Sequence, residues 1–285
     1  MAIDKIGKFT VVGPLGQGAN STILHIRRDD DGRDYALKVV SLDGDGDRKF
    51  LTQLEHELRV GQMLDHPSLV KVHALELEKG FLGLGGVRKA RLLVEYVPGQ
   101  TLDKAKLLKP AKLLRLLEKV AAGLVHMHGR GVLHADLKPN NIMQGRGTNA
   151  KIIDYGLAWI VGEPKDRVQG TPEYMAPETC THKMISERTD IYNFGATMYR
   201  LATFQLPPNC LPPMEGVKMR SRDFAAQLKP VLDLAPRTNP AFAELIHHCL
   251  AFDANKRPRA MSDVHARLEA LADDAEANAD PADLD

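Results

Sequence analysis

His134-Ala-Asp-Leu-Lys-Pro-Asn-Asn141, followed by Ile153-Asp-Tyr-Gly156, is the stretch on which the reading of this 285-residue chain turns. It brings two carboxylates, Asp136 and Asp154, an amide, Asn141, and an ammonium, Lys138, into one short run. Carboxylate and amide oxygens are hard donors of the kind that small divalent cations take. Singly, each residue reads equally well as a satisfied polar group in a loop. Jointly, and with the ordered motifs on either side, chance accounts for them poorly.

Toward the C-terminus lie Gly170-Thr-Pro-Glu-Tyr-Met-Ala-Pro-Glu178, Asp190-Ile-Tyr-Asn-Phe-Gly195 and Lys256-Arg-Pro258. Toward the N-terminus lies Gly16-Gln-Gly-Ala-Asn-Ser-Thr-Ile23. That glycine run falls between two expected strands, whereas a dinucleotide fold places its glycines between a strand and a helix. A glycine turn between strands lets backbone approach and cover phosphates, although alone it reads as an ordinary hairpin. Lys38 ends the next expected strand among Ala36, Leu37 and Val39, and its charge would be desolvated there unless paired. Glu57 and Glu55, on the helix that follows, are the available partners.

Periodicity gives three strands at Phe9–Val12, Thr22–Ile26 and Tyr35–Val40, with a hairpin turn at Asp29–Asp34. A helix over Lys49–Leu64 and strands over Leu69–Glu78 and Ala90–Tyr96 come next, with Gly80–Gly86 as a long mobile loop. Pro98-Gly99 breaks the pattern. Helices are expected at Pro110–Gly129, Asp190–Thr203, Pro240–Phe252 and Met261–Ala272, and the proline-dense Leu206–Pro213 must be a loop. Strands first and helices after is an α+β order. The tail Asp273–Asp285, with six acidic residues and no basic one, is expected to be disordered.

From about Phe9 to Leu271 these motifs resemble the eukaryotic-type (Hanks-type) serine/threonine protein kinase family. The resemblance implies a bilobal fold, an N-lobe of antiparallel sheet plus one helix at about 9–97 and a mainly helical C-lobe at about 98–271. It implies ATP and Mg2+ as cofactors and a protein Ser or Thr hydroxyl as acceptor. Asp136 would take or orient the hydroxyl proton, Lys138 would sit by the transferring phosphate, and Asn141 and Asp154 would hold magnesium. Lys38 would meet the α- and β-phosphates. Glu57 is its partner by its distance to His66-Pro67, and Thr171 would contact the acceptor hydroxyl and the catalytic loop. Gly16, Gly18 and Ser21 would cover the phosphates, with Ser21 standing in place of the third glycine. Val94 would be the gatekeeper, the backbones of Glu95 and Val97 would meet adenine, and Leu15, Ile23, Ala36 and Met143 would sandwich its ring. Core packing is the rival reading for every one of these apolar residues. Glu178 would pair with Arg257, and Asp190 would brace the catalytic loop.

Composition sets the bounds. The apolar fraction is 44%, the charged fraction 26% and the net charge +1, which fit a globular protein without the basic footprint of a nucleic-acid binder. The three cysteines, Cys180, Cys210 and Cys249, match neither a disulfide framework nor a metal knuckle. The most apolar long stretch, Leu113–His128, is interrupted by Arg115, Glu118 and Lys119. A cytoplasmic protein without a membrane span or nucleic-acid partner is the expectation.

Departures from the family pattern carry their own implications. Ala135 stands where an arginine usually precedes the catalytic aspartate, and Leu157–Gly170 contains no Ser, Thr or Tyr. Receiver and donor of an activating phosphate are both missing, so activity is expected not to need phosphorylation of that segment. Tyr155 replaces a phenylalanine, and Gly61 a bulkier residue whose space its hydroxyl is expected to use. Lys138-Pro139 and Gly170-Thr-Pro-Glu173 resemble the Ser/Thr branch, while Asn140 and Thr101 give no strong preference for basic substrates. A pseudokinase that binds partners without turnover is the first alternative, weakened by the presence of Lys38, Asp136, Asn141 and Asp154. Phosphoryl transfer to a small molecule is the second.

Overall fold

The structure is a computed structural model that describes residues 4–18, 21–42, 47–79, 86–105, 108–145, 147–164, 169–211 and 219–279. The expected mobile loop at 80–85 and residues 212–218 of the proline-dense stretch lie outside them. The chain forms two compact units, one of residues up to Pro98 with Asp154–Gly156, the other of Gly99–Ile153 and Leu157 onward.

The first unit is an antiparallel sheet with one helix. Its strands are β1 (Lys5–Ile6), β2 (Phe9–Gln17), β3 (Ser21–Arg28), β4 (Asp34–Ser41), β5 (Val72–Lys79) and β6 (Val87–Glu95), in the spatial order β1-β2-β3-β4-β6-β5. The β3–β4 turn falls at the acidic run, where the Arg28 N–H donates to the Arg33 carbonyl at 2.9 Å. β5 starts three residues later than its apolar run suggests. His66 folds a turn first, its ring nitrogen and carbonyl accepting the N–H groups of Ser68 and Leu69.

Helix α1 (Arg48–Met63) lays Leu54 against a core of Val40, Ala90 and Leu92, with Phe50, Leu58, Val72 and Leu75 packed around it. Its approach to β5 depends on Gly61, because a Cβ there would lie 2.5 Å from both Cβ and Cγ2 of Val72. Tyr155 makes no use of that space. Its hydroxyl donates to the Val70 carbonyl at 2.9 Å, and Val72 fills the room that Gly61 leaves.

The second unit opens with β7 (Gln100–Thr101) and α2 (Pro110–Gly129), followed by the short strands β8 (Val132–Leu133), β9 (Ile142–Gln144), β10 (Ala150–Ile152) and β11 (Trp159–Ile160). β9 pairs with β10 and β7, and β11 with β8. Helices α3 (Pro177–His182), α4 (Glu187–Thr203), α5 (Ser221–Gln227), α6 (Val231–Leu234), α7 (Pro240–Cys249) and α8 (Met261–Ala277) complete it. Leu116, Leu117, Val120, Leu124 and Met127 of α2 are fully buried, as are Ile191, Phe194, Ala196 and Met198 of α4. Every residue of α4 from Thr189 to Tyr199 is buried, the polar Thr189, Asp190, Asn193 and Thr197 included, so the helix runs through the middle of this unit's core. Among the described residues no helix is long and apolar enough to cross a membrane.

The acidic segment from Asp273 is not disordered where it is described. It extends α8 through Ala277, held by Arg115 of α2, which binds Glu276 at 2.8 and 2.6 Å and Asp273 at 2.5 Å. A cation 158 residues away along the chain supplies the neutralisation that the local composition lacks. Residues 280–285 of the tail lie outside the described structure.

Candidate active-site residues

In the sheet unit, strand pairing sets the face on which each side chain lies. Ile23 pairs with Lys38 and Ala36 with Val94. With a side-chain period of two, Ile23, Ala36, Lys38 and Val94 share one face. Leu15 falls in the irregularity between Pro14 and Gly16 and is 44% exposed. The glycine turn closes on itself through the Gly18 N–H, which donates to the Ser21 carbonyl at 2.7 Å. The Glu95 N–H is committed to the Lys71 carbonyl at 2.8 Å. Val97 lies two residues on, before the break at Pro98.

Lys38 Nζ bonds Glu57 Oε1 at 2.5 Å, while Glu55 is exposed on the other side of α1. Burial drives the Glu57 carboxyl up to about 7, against the pull of Lys38. Burial also disfavours the Lys38 ammonium, but the carboxylates of Glu57 and Asp154 more than offset it and hold it above its ordinary value. Asp154 Oδ1 accepts the Gly156 N–H at 2.8 Å. A Cβ on Gly156 would lie 2.5 Å from Gln53 Nε2 and 2.9 Å from Glu57 Oε1, so a larger residue there would push the ends of both side chains aside.

In the helical unit, Asp136 is held at both oxygens. Oδ1 accepts the Thr171 N–H at 2.7 Å, and Oδ2 accepts Lys138 Nζ at 2.9 Å. Lys138 Nζ also reaches Thr171 Oγ1 at 2.5 Å, which fastens the segment around Thr171 to the loop. Asn141 Nδ2 donates to the Asp136 carbonyl at 2.9 Å, and the Asn141 carbonyl accepts the Ile153 N–H at 3.0 Å. Met143 lies on β9, opposite Lys151.

The loop hangs from α4. The carboxylate of Asp190, fully buried, accepts the backbone N–H groups of His134 and Ala135 at 2.8 Å each. Burial raises that carboxyl, but His128, His134 and the Ala135 N–H outweigh burial and hold it below the usual range. Ala135 sits at φ 63, in the left-handed region. Glu178 and Arg257 form a two-pronged pair with both bonds at 2.8 Å, and the Arg257 side chain is fully buried. The sequence reading missed His128, whose Nε2 lies 2.8 Å from Asp190 Oδ2. It ends a long amphipathic helix, and nothing local marks it. Cys180, Cys210 and Cys249 are free thiols, and burial pushes Cys249 up to about 12, as expected of a packing residue.

A β-rich first unit, a helical second unit and these loops define a protein kinase domain, and the family model of that domain matches residues 9–267. The chain belongs to the protein kinase family. It is 30% identical to serine/threonine-protein kinase pkn2 of Myxococcus xanthus over 93% of this chain and 32% of that protein. It is 28% identical to pkn3 of the same organism over 93% of this chain and 50% of that protein. With PrkC of Bacillus subtilis it shares 25% identity over 70% of this chain and 31% of that protein. It thus spans a third to a half of the length of these relatives.

Proposed function

We propose that the chain transfers the γ-phosphoryl group of ATP to Ser or Thr hydroxyls of protein substrates, without phosphorylation of its own 157–170 segment. One observation carries the reading: Asp136 is aimed by Thr171 and Lys138 through bonds of 2.7 and 2.9 Å. A carboxylate so held can accept the proton of an incoming hydroxyl as its oxygen bonds to phosphorus. The bond from phosphorus to the β-phosphate oxygen then breaks, and its electron pair leaves with ADP. Lys138 stands beside Asp136 to offset charge on the transferring group. Lys38, kept cationic by Glu57, holds the phosphates. The Asn141 amide oxygen and the Asp154 carboxylate are the hard oxygens that would hold Mg2+, and the ion would supply positive charge against the phosphates.

The bond from Lys138 to Thr171 joins the two segments without a phosphate, which supports independence from the switch that Ala135 cannot receive. Ser/Thr preference rests on the Lys138-Pro139 and Thr171-Pro172 motifs and on the likeness to pkn2 and PrkC, both serine/threonine-protein kinases by name. The test is a peptide-array phosphorylation assay on protein co-expressed with a phosphatase, read by phosphoamino-acid analysis. Phosphoserine or phosphothreonine is expected. Silence that is relieved by phosphate on Thr171 or Tyr174 would overturn independence.

A further inference from the structure

One ring on the face that carries Lys38 has no part in the phosphotransfer reading. His25 lies on β3 two residues beyond Ile23 and opposite Ala36, so it shares the face of Ile23, Ala36, Lys38 and Val94. An imidazole is a costly choice there, because its side chain is only 15% exposed and its nitrogens lose water. The ring lies flat against that of Tyr96, with centroids 4.1 Å apart and planes 5° from parallel. Nε2 is buried and stands 2.9 Å from Asp34 Oδ1, but off the line of a hydrogen bond. That contact does not set the tilt of the ring, and the stack does. Asp34 is taken by Arg27 instead, whose Nε donates to Oδ1 at 2.9 Å and holds the carboxyl below its ordinary value.

The place of Tyr96 in the chain gives the stack its consequence. The ladder between β6 and β4 ends at the pair Tyr35–Glu95. Glu95 is anchored further, its N–H on the Lys71 carbonyl at 2.8 Å and its Oε2 accepting the Lys71 N–H at 3.1 Å. Tyr96 and Val97 lie past the last ladder pair, and the stack on His25 ties Tyr96 back to the sheet. On the phosphotransfer reading, adenine meets the backbones of Glu95 and Val97, one residue to either side of Tyr96. Where Tyr96 sits therefore sets the spacing of the two groups that would read the base.

We propose that His25 is a positioning residue for the nucleotide: its imidazole holds the Tyr96 ring, and through it the Glu95–Val97 backbone, in register with the adenine base. The proposal deepens the phosphotransfer reading and rests on it for the identity of the ligand. It predicts an effect on nucleotide affinity rather than on the chemical step, because the stack holds the base-binding backbone and not the phosphates.

The experiment measures binding of ADP and of adenosine by calorimetry, and steady-state kinetics with ATP and a generic protein acceptor. It compares the natural chain with His25→Ala, His25→Phe, Tyr96→Ala and the double variant of His25→Ala with Tyr96→Ala. His25→Ala should weaken ADP and adenosine by the same factor, about five-fold for the loss of an aromatic pair, and raise KM for ATP with kcat unchanged. His25→Phe keeps a flat ring without the nitrogens and should recover most of the loss. The double variant should bind adenosine no more weakly than either single one, the non-additivity of a pair that acts together. Thermal melting checks that each variant folds, and should His25→Ala not fold, His25→Leu takes its place, filling the space without a flat face. Unchanged affinity in the folded variant, additive losses in the double one, or a fall in kcat at constant KM would overturn the proposal. ADP affinity that depends on His25 in a chain that transfers no phosphate would leave the role of His25 standing and sink the phosphotransfer reading. Phosphate transfer with nucleotide affinity indifferent to His25 would do the reverse.

Discussion

Tyr155 donates its hydroxyl to the carbonyl of Val70 at 2.9 Å, tying the turn after Asp154 to the chain just ahead of β5. Burial moves the Tyr155 phenol well above its ordinary range, so it stays a donor at any working pH. Removing one partner of a buried hydrogen bond leaves the other unsatisfied at a cost of roughly 1–3 kcal/mol. Tyr155→Phe should therefore lower stability by about 1–2 kcal/mol in urea denaturation, although it restores the usual family residue. An unchanged midpoint would show that the hydroxyl contributes nothing.

Gly61→Ala sets two effects against each other. Alanine gains about 1 kcal/mol of helix propensity over glycine, but its Cβ would lie 2.5 Å from the Val72 Cβ, an atom next to the backbone. Overpacking of this kind costs about 1–3 kcal/mol, so the variant should be less stable. Gly61→Ala combined with Val72→Ala should recover part of the loss, a non-additivity read from a double-mutant cycle. A stabilised single variant would mean that α1 is free to back away from β5.

How much of this could be read from the sequence differs from place to place. Pro110–Gly129 was bounded to the residue because proline at the first turn and the closing glycine are local signals. The catalytic loop was legible because its chemistry is written in consecutive residues. Glu57 could be preferred over Glu55 only by family spacing, and the structure separates them by burial. Helices α3, α5 and α6, of 6, 7 and 4 residues, went unread because so few turns show no period and depend on tertiary packing. The helical 273–277 segment was misread because Arg115, the cation that holds it, lies on α2. Gly61 was seen as a gap, and only the approach of Val72 shows what fills it.

Stability and activity should move in opposite directions with pH. Burial raises the Glu57 carboxyl from about 4.5 to about 7, so between those values the folded state binds more protons than the unfolded one. Stability therefore falls as pH rises through that window, by on the order of 3 kcal/mol for a shift of this size. The Lys38–Glu57 ion pair gains its second charge over the same window, and phosphotransfer should rise with it. Glu57→Gln should flatten the stability profile between pH 4.5 and pH 7, as followed by urea melts at each pH. An identical slope in the variant would place the titration on another group.

Phe204→Gly should stabilise the fold. A non-glycine residue in the left-handed region costs about 1–2 kcal/mol, and Phe204 at φ 58 buries too little to offset that. A gain of about 1 kcal/mol in the urea midpoint analysis is expected. A loss of stability would show that the ring is a packing element of α4.

The central claim is phosphoryl transfer directed by Asp136 and Asp154. Transfer of radiolabel from the γ-position of ATP with Mg2+ to a generic protein acceptor, compared among the natural chain, Asp136→Ala and Asp154→Ala, tests it most directly. Incorporation by the natural chain that falls at least about 100-fold in each variant, the scale of lost acid–base or metal assistance, is the predicted result. Equal incorporation by all three proteins, or none by the natural chain while it still binds ATP, would contradict it.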